Sequence, residues 1–323
     1  MSQRIVIRAP GGTEVLSVIS DDQLLTPAAG QVRVRTGAIG VNFIDVYHRT
    51  GRYPQALPFT PGVEAAGVVE AIGDGVTDLA VGDRVAGFLS HGGYAQHVVA
   101  GAERWVKLPE GLSEEQAAGV LLQGMTAHYL CHDTFRVDGH HTALVHAAAG
   151  GTGLLLTQLI KRRGGRVLAT VSTEEKAELA RQAGADHVIL YTRQDVVAES
   201  RRLTEGRGVD VVYDSVGKST FAASLASLRP RGMLVLYGAA SGPAPMFDPI
   251  DLMRGSHYLT RPTLGHYIAE PGELGVRASA VFSAVVEGAL RPRLHHRYPL
   301  AEARRAHEEL ESRRTTGKLL LIP

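Results

Sequence analysis

A short run of small residues near the middle of the chain has the spacing of a dinucleotide-binding loop. Ala148, Gly150 and Gly153 occupy the three positions of the pattern G-x-G-x-x-G, with alanine in the first. An apolar β-type run, 142–146, precedes the loop, and residues 154–161 after it follow helical spacing. Such a strand, tight turn and helix lets the backbone approach a pyrophosphate and points the free N–H groups of the helix at the anion. The motif therefore indicates a nucleotide cofactor; a glycine-rich turn before an ordinary α/β helix is the alternative.

The strand after this helix ends without the acidic residue that NAD-binding sheets use. In those sheets an Asp or Glu about twenty residues past the glycines holds the ribose 2′-hydroxyl. Here the strand ends in residues 168–173, Leu-Ala-Thr-Val-Ser-Thr, which contain no carboxylate. Ser172 and Lys176 can instead offer a hydroxyl and a cation to a 2′-phosphate. We therefore expect NADPH as the cofactor; the alternative for Lys176 is a solvated position on a helix.

Composition and charge limit the classes of function. With 323 residues and 44% hydrophobic content the chain can bury a sizeable core, and its length suggests two domains. A formal net charge of +1 leaves no basic footprint for nucleic acid. The apolar runs are short and no signal-peptide core follows the N-terminus, so we expect a cytoplasmic protein without a membrane segment. The single cysteine, Cys131, excludes an internal disulfide and a Cys-based structural zinc site.

Two kinds of pattern describe the elements that must position these residues. Residues 4–100 have the pattern of short strands with glycine-rich turns, which predicts an all-β, barrel-like first domain. A helix is predicted from the N-cap Ser113 to about Leu130. Beyond it, strands at 143–146, 166–170, 187–190, 209–213 and 233–237 alternate with helices near 154–163, 174–183, 194–204 and 218–228. This alternation predicts an α/β fold, with a doubly wound parallel sheet between two layers of helices.

The segments after about residue 260 are too few to form a third domain. They include a helix predicted over 301–313 and a last strand over 318–322. We expect them to return and complete the first domain.

Several motifs spread over the chain keep the spacing of one known family. They are Gly11–Leu16, Asn42–Pro54, Pro61–Gly67, Gly82–Val85, Gln123–Thr126, Ala147–Gly153, Val211–Gly217, Ala306–His307 and Leu310–Arg313. Together they resemble the quinone oxidoreductase (ζ-crystallin-like) branch of the zinc-independent medium-chain dehydrogenase/reductases. The resemblance implies a GroES-like β-barrel catalytic domain, residues 1–123 completed by 262–323, and a Rossmann cofactor domain, residues 124–261. It also implies NADPH as hydride donor, a quinone as acceptor in a cleft between the domains, and a homodimer.

The same resemblance assigns residues to the parts of the cofactor. It implies that Asn42 and Thr126 contact the nicotinamide end of the cofactor. It implies that the pyrophosphate is bound by the loop residues Gly150, Gly151, Thr152 and Gly153. Tyr237 and Gly238 follow a predicted strand at its carboxyl end, where ligands of such sheets bind. Tyr191 and Arg313 line the pocket of the 2′-phosphate, together with Ser172 and Lys176.

Four residues of the Asn42–Pro54 motif are candidates for the catalytic site. Tyr47 and Tyr53 are expected to face the substrate, because a phenol can stack on a flat quinone and hydrogen-bond its carbonyl oxygen. The alternative is that both are half-buried packing tyrosines. Asn42 is included because it is expected to contact the nicotinamide of the cofactor. Asp45 either orients a neighbour or makes a structural contact.

The resemblance also bears on zinc, because zinc-dependent relatives share the architecture. Their catalytic metal takes ligands at positions that correspond here to Asn42, Val63 and Gln123, none of which offers a thiolate or an imidazole. We therefore expect no catalytic metal, and hydride delivery to an electron-poor acceptor rather than alcohol chemistry. Gln123 replaces a lysine that some relatives carry, so electrostatic help to the acceptor from that position is not expected.

Three functions fit these observations to different degrees. The leading one is an NADPH-dependent quinone reductase. The alternative enzyme is an NADPH-dependent reductase of enals or enones, since the same branch reduces activated C=C bonds. A third function, that of an RNA-binding or structural protein that holds NADPH, is disfavoured by the near-neutral charge and the lack of a basic stripe.

Overall fold

A computed structural model describes residues 2–323 of the chain. The chain folds into two compact units. One contains the residues up to Leu122 together with Leu274–Pro323, and the other is Gln123–Glu273. No helix in the described part of the chain is both long and apolar enough to cross a membrane.

Short strands dominate the first part of the chain, and strands alternate with helices in its middle. The strands are β1 (Ser2–Val6), β2 (Ser17–Asp21), β3 (Gln31–Val41), β4 (Glu64–Ile72), β5 (Arg84–Phe88), β6 (His97–Gly101), β7 (Trp105–Lys107), β8 (Thr142–Val145), β9 (Arg166–Val171), β10 (His187–Leu190), β11 (Val209–Asp214), β12 (Leu228–Leu236), β13 (Tyr258–Thr260), β14 (Leu294–Pro299) and β15 (Lys318–Ile322). The helices are α1 (Phe43–Arg49), α2 (Glu114–Tyr129), α3 (Gly151–Arg162), α4 (Glu174–Gln182), α5 (Val196–Leu203), α6 (Phe221–Ala226), α7 (Glu273–Val286) and α8 (Ala303–Glu311).

The first unit is built on a mainly antiparallel sheet that includes the end of the chain. Its strand order is β14-β15-β3-β4-β5-β7, with β6 also paired to β3. β15 runs antiparallel to β3 and parallel to β14. Alternate side chains of these strands form an apolar core, which includes Val34, Ile39, Val69 and Leu321. The last strand of the chain, β15, thus lies in the same sheet as β3 and β4, whereas β1 and β2 pair in a separate two-stranded sheet.

The second unit is a parallel sheet of six strands in the order β10-β9-β8-β11-β12-β13. This is the order of a doubly wound dinucleotide-binding fold, in which the first strand lies beside the point where the order reverses. Here that first strand is β8, and it leads directly into the glycine loop. The predicted α/β fold class is therefore confirmed, with β13 as an edge strand that the sequence analysis did not predict.

The helix predicted to end near Leu130 changes its winding there. α2 continues beyond Tyr129 as a π-helical turn, Leu130–Thr134. The predicted N-cap is confirmed, since the Gln116 backbone N–H donates to Ser113 Oγ and the Ser113 N–H to Gln116 Oε1.

Residues just before α7 belong to the second unit and contact the end of α2 and the π-helical turn after it. Tyr267 stacks on Tyr129 with ring centroids 4.2 Å apart, and Thr134 Oγ1 donates to Tyr267 Oη at 2.8 Å. These contacts explain why the second unit extends to Glu273.

Candidate cofactor and substrate site

The glycine loop forms a sharp turn that leaves the start of α3 open. Ala147 adopts a left-handed backbone (φ 50°), and the Gly150 N–H donates to the Ala147 carbonyl at 2.9 Å. Gly150 is the N-cap of α3 and offers no side chain to cap it. A Cβ at Gly153 would collide with the Ala147 carbonyl and come within 2.8 Å of Ala148 Cα. Glycine is therefore needed for the helix to start this close to the turn, and the N–H groups of its first turn are available to an anion.

Gln123 lies against the first residue of this helix. A Cβ at Gly151 would collide with the Gln123 side-chain amide, so the two residues are in close contact. Gln123 Oε1 is buried, and no donor among residues 2–323 bonds to it. A buried acceptor without a donor costs free energy, and a hydroxyl or amide N–H of a bound nucleotide would satisfy it. The residues of this loop therefore fit a nucleotide, and Gln123 is a further candidate contact that was not predicted from the sequence.

A hydroxyl, a phenol and an ammonium follow two neighbouring strand ends. Leu190 pairs with Val171 in the sheet, so Ser172 and Tyr191 continue side by side from β9 and β10. Tyr191 is 50% exposed, and Lys176 lies in the first turn of α4. Partial burial lowers the pKa of the Lys176 ammonium, because desolvation penalises its charged form. This set suits a phosphate ester, which both neutralises the ammonium and accepts from the hydroxyls.

Tyr237 and Gly238 follow β12 and lie at the same edge of the sheet. The backbone N–H groups of Tyr237 and Gly238 donate to the Asp214 carbonyl at 2.8 and 3.3 Å. The Asp214 carboxylate is buried and accepts from the Val216 and Gly217 N–H groups and from two hydroxyls of α6 and its N-cap. Asp214 therefore caps the following turn. Thr126 is buried on α2.

An aromatic cluster surrounds the predicted substrate tyrosines. Tyr47 on α1 and Tyr53 meet edge to face with centroids 5.2 Å apart, and the Arg52 guanidinium lies 4.9 Å above the Tyr47 ring. His48 lies next to Tyr53, its pKa is lowered by burial and by the charge of His91, and its Nδ1 is buried without a hydrogen-bond partner in the described chain. Arg52 and His48 are not among the residues predicted from the sequence. Both follow Tyr47 closely in the motif, and that proximity was the only signal available.

Asn42 is fixed by a buried ion pair that the sequence analysis did not predict. Its Nδ2 donates to Glu64 Oε1 at 2.8 Å and to the Gly40 carbonyl at 3.3 Å, and its Oδ1 accepts from Lys318 Nζ at 2.7 Å. Lys318 also forms an ion pair with Glu64, whose other oxygen accepts the Leu122 N–H. Both donors of the amide are thus used, and Asn42 retains only acceptor capacity on Oδ1. At 3% exposure it is almost fully enclosed.

Asp45 is buried and caps the helix that carries Tyr47. Its Oδ2 accepts the Asn42 N–H at 2.9 Å and the Tyr94 hydroxyl at 3.0 Å. Burial raises the pKa of Asp45 to about 7, against the opposing effects of these two hydrogen bonds and of Lys318. The contact with the Asn42 N–H is a helix-capping contact, and Asp45 as an orienting residue of the site stays a prediction.

Arg313 lies just beyond α8. It is exposed and adopts a left-handed backbone, with φ 61°. The helix predicted over 301–313 includes Arg313, whereas α8 ends at Glu311.

Potential metal ligands do not gather in the part of the chain that the structure describes. Among residues 2–323, no group of three or more His, Cys, Asp or Glu side chains has an arrangement suited to a metal ion. His128 and His132 stack with centroids 3.9 Å apart near the end of α2.

Known proteins share this fold and much of this sequence. Residues 28–110 match the alcohol dehydrogenase GroES-like domain, and residues 151–274 match the zinc-binding dehydrogenase family. A quinone oxidoreductase of Pseudomonas aeruginosa is 47% identical, and a 2-haloacrylate reductase of a Burkholderia species is 44% identical. Both alignments cover all of this chain and 100% and 99% of the relative, respectively. The Escherichia coli quinone oxidoreductase solved with NADPH superposes with a TM-score of 0.97 at 40% identity, over 99% of this chain and 100% of that one.

Proposed function

The chain belongs to the quinone oxidoreductase family of the medium-chain dehydrogenase/reductases, and we propose that it is an enzyme that transfers a hydride from NADPH to a quinone. The observation that carries this proposal is the open N-terminus of α3, with the unpaired Gln123 Oε1 beside it. A strand order that reverses next to the same loop supports it.

The cofactor, when bound, supplies the hydride from its nicotinamide ring. The backbone of residues 150–153 holds the pyrophosphate, and Gln123 Oε1 accepts a hydrogen bond from the nucleotide. Asn42 and Thr126 orient the nicotinamide, and Tyr237 and Gly238 border the cofactor. Because both donors of Asn42 are used within the protein, Asn42 contributes an acceptor to this contact.

Ser172, Lys176, Tyr191 and Arg313 select NADPH by binding its 2′-phosphate. A phosphate gains from two cations and two hydroxyls, whereas the 2′-hydroxyl of NADH gains little from the cations.

Tyr47 and Tyr53 position the acceptor. Their edge-to-face pair offers one ring for stacking and hydroxyls that can stabilise negative charge on the quinone oxygen as the hydride arrives. None of the residues assigned to the acceptor side is a strong acid, so water protonates the departing hydroquinone anion. Positioning of donor and acceptor supplies most of the rate.

The test replaces the cation of the phosphate pocket. Lys176→Ala should weaken NADPH binding by about tenfold or more and leave NADH binding almost unchanged, because only NADPH carries the 2′-phosphate. Fluorescence titration with each cofactor measures both constants. Equal losses for the two cofactors would refute the assignment.

A second activity is favoured by the Burkholderia relative, whose name states that it reduces 2-haloacrylate. An electron-poor C=C bond can accept the hydride at the same site. Rates on 1,4-benzoquinone and on 2-chloroacrylate, measured side by side with NADPH, decide between the two acceptor classes.

We also propose that the enzyme is a cytoplasmic homodimer. β13 is the edge of the parallel sheet, and Tyr258 on it and Met246, Ile250 and Met253 before it are exposed. A second copy that paired along this edge would cover these side chains. Sedimentation equilibrium tests the proposal.

A further inference from the structure

The last turn of α8 is tied to α1 by a single guanidinium. Arg49 NH1 donates to Glu311 Oε2 at 2.9 Å, and Arg49 NH2 donates to Glu311 Oε1 at 3.0 Å. The Arg49 side chain is 3% exposed, whereas that of Glu311 is 36% exposed. A planar fork on a carboxylate fixes orientation as well as distance, which a lysine cannot do. The pair therefore sets the direction in which α8 ends.

The rest of the Arg49 environment prevents the guanidinium from turning. Its Nε donates to the Gly11 carbonyl at 3.3 Å, and NH1 also reaches His307 Nδ1 at 3.1 Å. Because a guanidinium only donates, His307 Nδ1 must accept, and its Nε2–H then donates to Tyr94 Oη at 3.0 Å. Tyr94 in turn donates to Asp45. Any rotation of Arg49 would leave the buried His307 without its donor.

The beginning and the end of α8 are held independently. Near its start, Arg304 donates to the carbonyls of Glu14 and Leu16. Thr13 Oγ1 donates to Glu308 at 3.0 Å in the middle of the helix. The Arg49–Glu311 pair acts on the final turn, and the contact of Arg49 with His307 acts on the middle of the helix.

The residue that depends on this final turn is Arg313. It follows Glu311 by two positions and adopts the left-handed backbone that an arginine rarely takes. Such a conformation persists where the surroundings fix it, and it is common at ligand sites. The path of the chain into Arg313 is set by the orientation of the turn before it.

We propose that Arg49 is a positioning residue for the selection of NADPH by its 2′-phosphate, which holds Glu311 and thereby fixes the backbone that carries Arg313. The inference rests on the proposed function, in which Arg313 binds that phosphate. Arg49 itself touches no cofactor, and it acts through Glu311 and the backbone at Ser312.

Charge-conserving variants separate position from electrostatics. Arg49→Lys keeps the cation and loses the fork, and Glu311→Asp keeps the carboxylate and shortens its reach. Both should lower the ratio of kcat/KM for NADPH to that for NADH by about fivefold, because only contacts with the 2′-phosphate differ between the cofactors. Glu302→Asp makes the same change in the exposed pair with Arg305 at the other end of α8, and it should leave the ratio unchanged.

Arg313→Ala completes the set. If Arg313→Ala lowers the ratio and neither Arg49→Lys nor Glu311→Asp does, the positioning role is wrong and the phosphate site stands. If Arg313→Ala leaves the ratio unchanged, the assignment of Arg313 to the phosphate is wrong. Equal losses of activity with both cofactors in Arg49→Lys and Glu311→Asp would mark a structural role and overturn the inference. Because Arg49 is buried and its variant can fail to fold, the exposed Glu311 provides the test that remains.

Discussion

Two buried residues bonded to the Tyr94 hydroxyl titrate in opposite directions. Burial raises the pKa of Asp45 to about 7, and burial together with the charge of Arg49 lowers the pKa of His307 to about 3. An acid whose pKa is raised by folding stabilises the folded state below its unfolded pKa, and that stability is lost as pH rises towards 7. A histidine whose pKa is lowered by folding stabilises the folded state above its unfolded pKa near 6.5, and that stability is lost as pH falls towards 3. Between about pH 4 and 6.5 the two effects oppose each other.

Replacing either Asp45 or His307 should therefore reveal the pH dependence that the other residue gives to the stability. The free energy of unfolding of His307→Asn should fall relative to the wild-type protein as pH rises from 4 to 6.5, and that of Asp45→Asn should rise. Each relative change should be at least about 1 kcal/mol, the value of one pKa unit. Urea unfolding is followed by the fluorescence of Trp105, the single tryptophan, which lies in the core of the first unit. The charged groups Lys318, Glu64 and Arg49 face Asp45 or His307 and are unchanged in both variants. Slopes that match the wild-type slope in both variants would contradict the opposed titration.

The Tyr53 hydroxyl should matter to the acceptor more than to the cofactor. Tyr53→Phe keeps the ring that packs on Tyr47 and removes the group that can hydrogen-bond a quinone oxygen. We expect turnover of 1,4-benzoquinone to fall by about tenfold or more with unchanged NADPH affinity, as for the loss of one transition-state hydrogen bond. Steady-state kinetics and a binding titration separate the two effects. Tyr258→Phe on the edge strand is the control, and an unchanged quinone rate in Tyr53→Phe would return Tyr53 to a packing role.

A local pattern in the sequence marked some of the candidate site residues. Ser172 and Lys176 stand at a strand end that lacks an acid, and the structure places them at the carboxyl edge of the sheet. The pair that orients Asn42 had no such mark, because Glu64 and Lys318 are 254 positions apart and meet only when the last strand joins the first sheet. Which residues bind cofactor and acceptor stays a prediction that the variants above address.

At the scale of elements, the turn between β8 and α3 is the part most sensitive to a single methyl group. Gly153→Ala places a Cβ against the Ala147 carbonyl and the Ala148 backbone, which cannot move without moving the loop. Gly150→Ala brings its Cβ within 3.2 Å of the same carbonyl, a smaller intrusion. We expect Gly153→Ala to weaken NADPH binding at least about tenfold and to lower the melting temperature, with Gly150→Ala much less affected. Similar binding losses in the two variants would show that the fit around Gly153 is not what shapes the site.

Long, periodic elements were predicted well, whereas a short edge strand and the end of one helix were not. The five strands from β8 to β12 follow the predicted alternation, since buried parallel strands have continuous apolar runs. β13 is only three residues long and follows a loop, so its sequence carries no period. α8 was predicted to include Arg313, because a positive φ at an arginine cannot be inferred from residue type.

At the scale of the whole molecule, a strand order that reverses beside a glycine loop, an open helix N-terminus and an aromatic cluster together describe a hydride-transfer enzyme. The resemblance of motifs along the chain predicted this function, and full-length relatives at 47% and 44% identity support it. A quinone and an activated C=C bond accept the same hydride, so the rates on both acceptor classes decide which of them the enzyme prefers.

The most direct measurement is the oxidation of NADPH, and separately of NADH, by 1,4-benzoquinone after the protein has been treated with a chelator. We predict rapid oxidation that favours NADPH, exceeds the rate without enzyme and is insensitive to the chelator. Binding of NADPH without reduction of any quinone would contradict the central claim, and so would activity that the chelator abolishes.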